Sequence, residues 1–228
     1  MRNFLARRFY FLMSILTALV VVVGFAPNLD SGLIHPGSPR PFALYVHTAV
    51  FAWWILLVVV QSGLVQAGQV QLHRRLGMLN GVLGILLPVV GIWVAIAMSR
   101  WRLAQDDRHV ISFLLVPFFD MTVFAVFFGL AWAWRRRPEE HRRLILLASV
   151  SLTVAAFARF PRWIVPGGHF NVACDVFLLL AVGRDLAVDG KLHRVYRIAL
   201  PLLVAGQAIS EWARHTGWWQ ALAWRILQ

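Results

Sequence analysis

The sequence predicts an all-α integral membrane protein: seven transmembrane helices, built as one N-terminal anchor helix followed by three antiparallel hairpin repeats. Three observations predict it. First, 60% of the 228 residues are hydrophobic and 14% are charged, against roughly 25% charged in a soluble domain. Mean hydropathy is +0.69, and a soluble chain of this length has too little interior to hide that much apolar surface. Second, the apolar residues are gathered into long runs, most of them close to the length of about 20 residues that spans a bilayer as a helix. Third, a short basic signature returns in phase with those runs. A secreted disulfide scaffold, a disordered chain and an ordinary cytosolic enzyme are excluded on these grounds.

The runs follow in order. Residues 9–26 come after Arg2, Arg7 and Arg8. The run is long for a signal peptide and no A-x-A site follows it, so 1–28 is expected to be a retained signal-anchor helix. Runs 43–65 and 76–98 form the first hairpin, introduced by Pro36-Gly37-Ser38-Pro39. Gly77, Gly81 and Gly84 at the start of its second arm suit close helix packing. Runs 110–134 and 144–160 form the second hairpin, 110–160. Pro166-Gly167-Gly168 then leads into runs 170–186 and 198–213, the third hairpin. The tail 216–228 carries Trp218, Trp219 and Trp224 and is expected to lie along the membrane interface. All of this is a single transmembrane domain, 1–228.

A net charge of +12 would suggest nucleic acid in a soluble protein. Here the cations stand at the ends of apolar runs, where they meet head groups, so lipid is the expected partner and nucleic acid is not. With the N-terminus inside, 14 Arg and Lys residues fall on the cytoplasmic side and 8 on the outer side. The positive-inside rule therefore gives a cytoplasmic N-terminus and a periplasmic C-terminus in a bacterial inner membrane. The one cysteine, Cys174, lies within an apolar run and reads as a small core residue.

The repeated signature is His73-Arg74-Arg75-Leu76, then His141-Arg142-Arg143-Leu144, then His193-Arg194-Val195-Tyr196. Each copy opens the second arm of a hairpin. Val50-Phe51, Val123-Phe124 and Val176-Phe177 occupy comparable places upstream, which supports an internal repeat. His73, Arg74, His141, Arg142, His193 and Arg194 are expected at the inner interface, with arginine on phosphate and histidine near the head groups. A three-histidine metal site is disfavoured, because each histidine adjoins an arginine whose charge repels a cation.

Charged residues inside apolar runs are expensive and so informative. Measured from the inner loops, Asp120, Arg159, Asp175 and Glu211 fall at similar depth, and His47 shares the layer by its spacing from Val50-Phe51. His169 and Arg162 stand at the rim. The expectation is a polar layer of His47, Asp120, Arg159, His169, Asp175 and Glu211 in the outer leaflet, with Asp120–Arg159 as its main ion pair. Gln61 and Gln207 would add hydrogen bonds deeper in the bundle.

No P-loop, G-x-G-x-x-G, H-E-x-x-H or G-x-S-x-G pattern is present. No cofactor is predicted. The alternative is a haem b electron-transfer subunit with His47 and His169 as axial ligands, since they alone share an outer depth. A zinc hydrolase of the alkaline ceramidase kind has the residue types here but not the motifs.

Three segments carry a resemblance: Leu72-His73-Arg74-Arg75-Leu76-Gly77, Arg137-Pro138-Glu139-Glu140-His141-Arg142-Arg143-Leu144 with Arg159 after it, and Arg184-Asp185 through Leu192-His193. Over residues 44–225 the chain resembles an uncharacterised family of bacterial seven-helix inner-membrane proteins. That resemblance implies the topology and no activity. The functional expectation rests on the polar layer: a binding or transport-type module for a small molecule, proton or lipid head group, with Arg159 as anion anchor. A structural or assembly subunit is the remaining alternative.

Overall fold

The computed structural model describes residues 2–228, with the side chains of Arg2 and Asn3 left aside. Among the described residues every regular element is helical. Helix α1 spans Arg2–Phe25, α2 Phe42–Gln66, α3 Val70–Leu103, α4 His109–Phe113 and α5 Leu115–Ala133. They are followed by α6 (Pro138–Ser151), α7 (Val154–Phe157), α8 (Phe170–Asp189), α9 (Arg194–Ala213) and α10 (Gly217–Leu227). Between α1 and α2 lie a short 3₁₀ turn and a single π turn.

Among the described residues four segments are long and apolar enough to cross a membrane: Phe4–Asn28, Phe42–Gln66, Val70–Leu103 and His109–Ala133. The three later runs of the expected seven fall short for physical reasons. Run 144–160 is split between α6 and α7. Helix α8 carries Asp175, Arg184, Asp185 and Asp189. Helix α9 is diluted by Arg197, Gln207 and Glu211. The helical bundle with apolar spans is thus observed, in a chain compatible with a membrane.

Both helix interruptions have local causes. Pro117 has no N–H to donate back to Phe113, and α4 ends at that residue. At the α6–α7 break, Ser151 Oγ donates to the Ala148 carbonyl (2.9 Å) and Thr153 Oγ1 to the Val150 carbonyl (2.6 Å). These hydroxyls compete with backbone N–H groups for helical carbonyls and tighten the turn.

The chain runs back and forth, and consecutive helices pack on one another: α2 on α3, α5 on α6, and α8 on α9 at their junction. Two of the reversals use glycine in the left-handed region, Gly68 (φ 75°) after α2 and Gly190 (φ 67°) after α8, where a Cβ would be strained. Helix α1 lies against α2, α6, α7 and α8. The core is aromatic: Trp54 meets Phe124 and Phe128 edge-on at 5.2 and 5.6 Å. Helix α3 approaches α5 so closely that a Cβ at Gly81 or Gly84 would strike Trp132 or Phe128. Gly77, expected to share that role, faces open space.

The tail forms α10, which packs Trp219, Ala223 and Leu227 on Val110 and Leu114 and leaves Trp218 and Trp224 exposed. Outward-facing Leu79, Val82, Ile85 and Val89 give α3 an apolar outer stripe, as a lipid-facing helix requires.

Candidate functional site

All three His-Arg pairs open helices at one end of the bundle, where α2 hands over to α3, α5 to α6 and α8 to α9. This end holds the most highly connected polar cluster among the described residues. Arg143 of α6 and Asp185 of α8 both have fully buried side chains (0% exposed). Arg143 Nε donates to Asp185 Oδ2 (3.0 Å) and Nη2 to Asp185 Oδ1 (2.7 Å), a two-pronged pair. Nη2 also donates to Asp189 Oδ2 (3.0 Å), and Nη1 to both Glu139 Oε2 (2.6 Å) and the Glu139 carbonyl (3.0 Å). Every donor of that guanidinium is therefore used.

Arg184, 3% exposed, joins from the side. Its Nη1 donates to Asp185 Oδ1 (2.9 Å) and Asp189 Oδ2 (2.6 Å), while its buried Nε has no hydrogen-bond partner among the described residues. The Tyr10 ring lies 4.8 Å from Arg142 and 5.7 Å from Arg184, and Tyr196 lies 5.9 Å from Arg143. Carboxylates in the last turn of α8 oppose its dipole, so the two arginines offset an otherwise unfavourable arrangement.

The signature histidines take three different roles here. The rings of His73 and His141 meet edge to face at 6.4 Å. In the amide orientation that satisfies its neighbours, Gln61 donates to His73 Nδ1 (2.6 Å), so Gln61 belongs to this end. His141 Nδ1 donates to the Ala131 carbonyl (2.9 Å), pinning the α5–α6 turn. His193 caps α9 by accepting from the Val195 N–H (3.2 Å), and its own N–H donates to Asp185 Oδ2 (3.2 Å). Burial, and then the positive charge of Arg143, hold His193 below its ordinary pKa. Arg142 pairs with Glu139 and Arg194 with Glu140 (2.7 Å), whereas Arg74 is exposed. Among the described residues no three His, Cys, Asp or Glu side chains converge to hold a metal ion.

The expected outer layer is only partly assembled. Asp175 accepts from Gln207 Nε2 (3.1 Å), while Glu211, one turn further along α9, is exposed and tied to Arg214 and His215. Asp120 and Arg159 do not pair. Arg159 donates to the Ala155 carbonyl and lies over Phe25 at 4.3 Å. The reason is the hairpin's true centre, the turn between Ala133 and Pro138: Asp120 still lies within α5, whereas Arg159 lies past the ends of both α6 and α7. Arg159 is thereby carried roughly 12 Å beyond the level of Asp120, toward the far end.

His47 is half-buried, packs on Phe51 at 4.1 Å and lies within electrostatic reach of Arg159; its Nδ1 is buried without a partner among the described residues. His169 is exposed at the start of α8. Asp120 is half-buried in α5 and has no ion pair or hydrogen bond to another described residue. Asp175 is the chain neighbour of Cys174 on α8, and Asp120 lies in α5 within electrostatic reach of that thiol. Cys174 Sγ donates to the Val150 carbonyl (3.3 Å), at the α6–α7 break.

The Arg143–Asp185 network is the residue set that sequence reasoning missed. Its signal was present in Arg184, Asp185 and Asp189, three charges crowded into the closing turns of α8. Comparison with protein families, with curated proteins and with solved structures returns no match.

Proposed function

We propose that this chain is an integral membrane binding and transport-type module that exchanges protons at the carboxylates of Asp120 and Asp175. One observation carries the reading. Among the described helical residues, the acids at the helix ends each have a cation partner: Glu139, Glu140, Asp185, Asp189 and Glu211. Asp120 and Asp175, inside α5 and α8, have none, and a carboxylate without a cation in an apolar helix is retained at a cost that function explains better than folding does. Gln207 donates to Asp175, and the Cys174 thiol stands beside it on α8, bonded to the Val150 carbonyl at the α6–α7 break. His47 and Arg159 stand nearer the surface on the same side.

In this reading the bundle sits in a bacterial inner membrane with its His-Arg end at the cytoplasm, supported by the 14-to-8 distribution of Arg and Lys and by the gathering of all three pairs at one end. The later, more polar helices complete seven spans around the carboxylates.

The test uses proteoliposomes loaded with pyranine and given an external acid pulse under a valinomycin-clamped potential. Wild-type vesicles should acidify faster than protein-free ones, and Asp120→Asn and Asp175→Asn should remove the difference while Glu140→Gln preserves it. Equal rates in wild-type and empty vesicles, or unchanged rates in both Asn variants, overturn the reading.

A second reading is favoured by Arg143. A guanidinium with every donor bound to α6 and α8 has none left for a ligand. The network at this end is a fastening between helices, as a structural or assembly subunit would need.

A further inference from the structure

Helices α1 and α8 leave an apolar groove of about 380 Å³ on the outside of the bundle. Its α1 wall runs from Leu5 through Leu12 to Leu16; its α8 wall is formed by Leu180, Gly183 and Arg184. Leu12, Leu16 and Leu180 remain well exposed, so the protein itself does not cover the groove. From Leu5 to Leu16 the helix rises about 16 Å, roughly half of the 30 Å hydrocarbon core, the depth of a single leaflet. Gly183 opens the wall, because a Cβ built there meets nothing within 4 Å.

The groove is not apolar throughout. Arg184, the lining residue of α8 nearest the His-Arg end, stands on its wall with its guanidinium 5.7 Å from the Tyr10 ring. Its Nη1 is spent on Asp185 and Asp189, but its Nε is buried without a partner among the described residues. An unsatisfied charged donor next to a one-leaflet apolar channel is complementary to one kind of occupant: an anionic oxygen carried on an acyl chain. Arg7 and Arg8, exposed at the same end of α1, add positive charge where a head group would lie.

We infer that the α1–α8 groove is a binding site for one membrane phospholipid, its phosphate on Arg184 and an acyl chain along Leu12, Leu16 and Leu180. The occupant is a lipid of the leaflet at the His-Arg end. It fastens α1 to the rest of the bundle from outside, beside the ionic network that fastens α6 to α8 from within.

Native mass spectrometry of the full-length protein in mild detergent tests this, with dioleoylphosphatidylglycerol and dioleoylglycerol as probes. Wild type should retain a single phosphatidylglycerol and bind dioleoylglycerol at least about tenfold more weakly. Gly183→Leu fills the groove without touching the ionic network and should weaken phosphatidylglycerol binding about tenfold. Arg184→Gln should abolish the preference for the phosphate-bearing lipid. Because Arg184 also serves the network and its loss can disturb folding, Gly183→Leu is the deciding variant. Binding by Gly183→Leu equal to wild type, or equal affinity of wild type for the two probes, overturns the proposal. So does a dimer mass that Gly183→Leu abolishes, since the face then belongs to a second copy of the chain.

Discussion

Replacing Asp185 by Asn removes one charge from the buried network and changes its shape very little. The Asp185 carboxylate accepts four hydrogen bonds: two from Arg143, one from Arg184 and one from the His193 N–H. The Asn oxygen can keep two of them, so at least two charge-assisted bonds are lost, at about 1.5–3 kcal/mol each. Arg143 and Arg184 are then left to share Glu139 and Asp189. Asp185 and Arg143 are both fully buried, so solvent screening does not reduce the effect. A destabilisation of about 3–5 kcal/mol is expected, the range for breaking a buried ion pair. For a chain of this size that corresponds to a Tm lower by roughly 6–20 °C.

Cys174 is the sole cysteine and 1% exposed, so a thiol-reactive fluorophore reports unfolding in detergent without an engineered cysteine. Replacing both partners, Arg143→Met with Asp185→Leu, leaves Arg184 with Asp189 and Arg142 with Glu139. That double variant should be more stable than Asp185→Asn alone. A loss under about 1 kcal/mol for Asp185→Asn, or double-variant costs that simply add, would refute the assignment of this cluster as the fastening of α6 to α8.

Three more outcomes follow from the same geometry. Gly24→Leu should lower stability by about 1–3 kcal/mol, because even a Cβ there comes within 2.6 Å of the Ala156 carbonyl oxygen; thermal unfolding with the same fluorophore measures it. His193 has its pKa held below the ordinary 6.5, so the folded state binds fewer protons than the unfolded state and stability is complete above 6.5. Stability should then fall as pH drops below 6.5 toward the folded value, and His193→Asn, which caps α9 without titrating, should flatten that part of the Tm-against-pH curve. Glu140→Gln, by contrast, loses an ion pair with a half-exposed Arg194, and its effect on Tm should correspond to no more than about 1 kcal/mol.

Much of the helix layout was legible because apolar length is a strong signal. The expected run 43–65 is observed as Phe42–Gln66, and the runs that begin at 76 and 170 lie within α3 and α8. The breaks at Leu114 and at Leu152–Thr153 were not legible from hydropathy, which does not register a missing proline N–H or a hydroxyl that takes a carbonyl. The depth of polar side chains was legible only to within a turn or two. Counting from the signature histidines paired Asp175 with Glu211, but the α8–α9 loop is centred before His193. Measured from that centre, Gln207 of α9 and Asp175 of α8 stand at nearly the same depth, and they face each other. Arg143 was visible only as one more basic residue in a loop, because its buried partner Asp185 and Asp189 lie 42 and 46 positions away and nothing around Arg143 itself points to them.

The two helix breaks give the bundle an uneven mechanical character. Toward the His-Arg end α5, α6, α8 and α9 are uninterrupted, the last three bound through Arg143, Arg184 and Glu140 and α5 through His141 on the Ala131 carbonyl. Toward the other end the chain is jointed at Leu114 and at Leu152–Thr153, and residues 158–169 form no regular helix. A rod stiff at one end and jointed at the other concentrates bending at its joints. Of the two joints, the one at Leu152–Thr153 is tied to α8, through the Cys174 thiol bonded to the Val150 carbonyl.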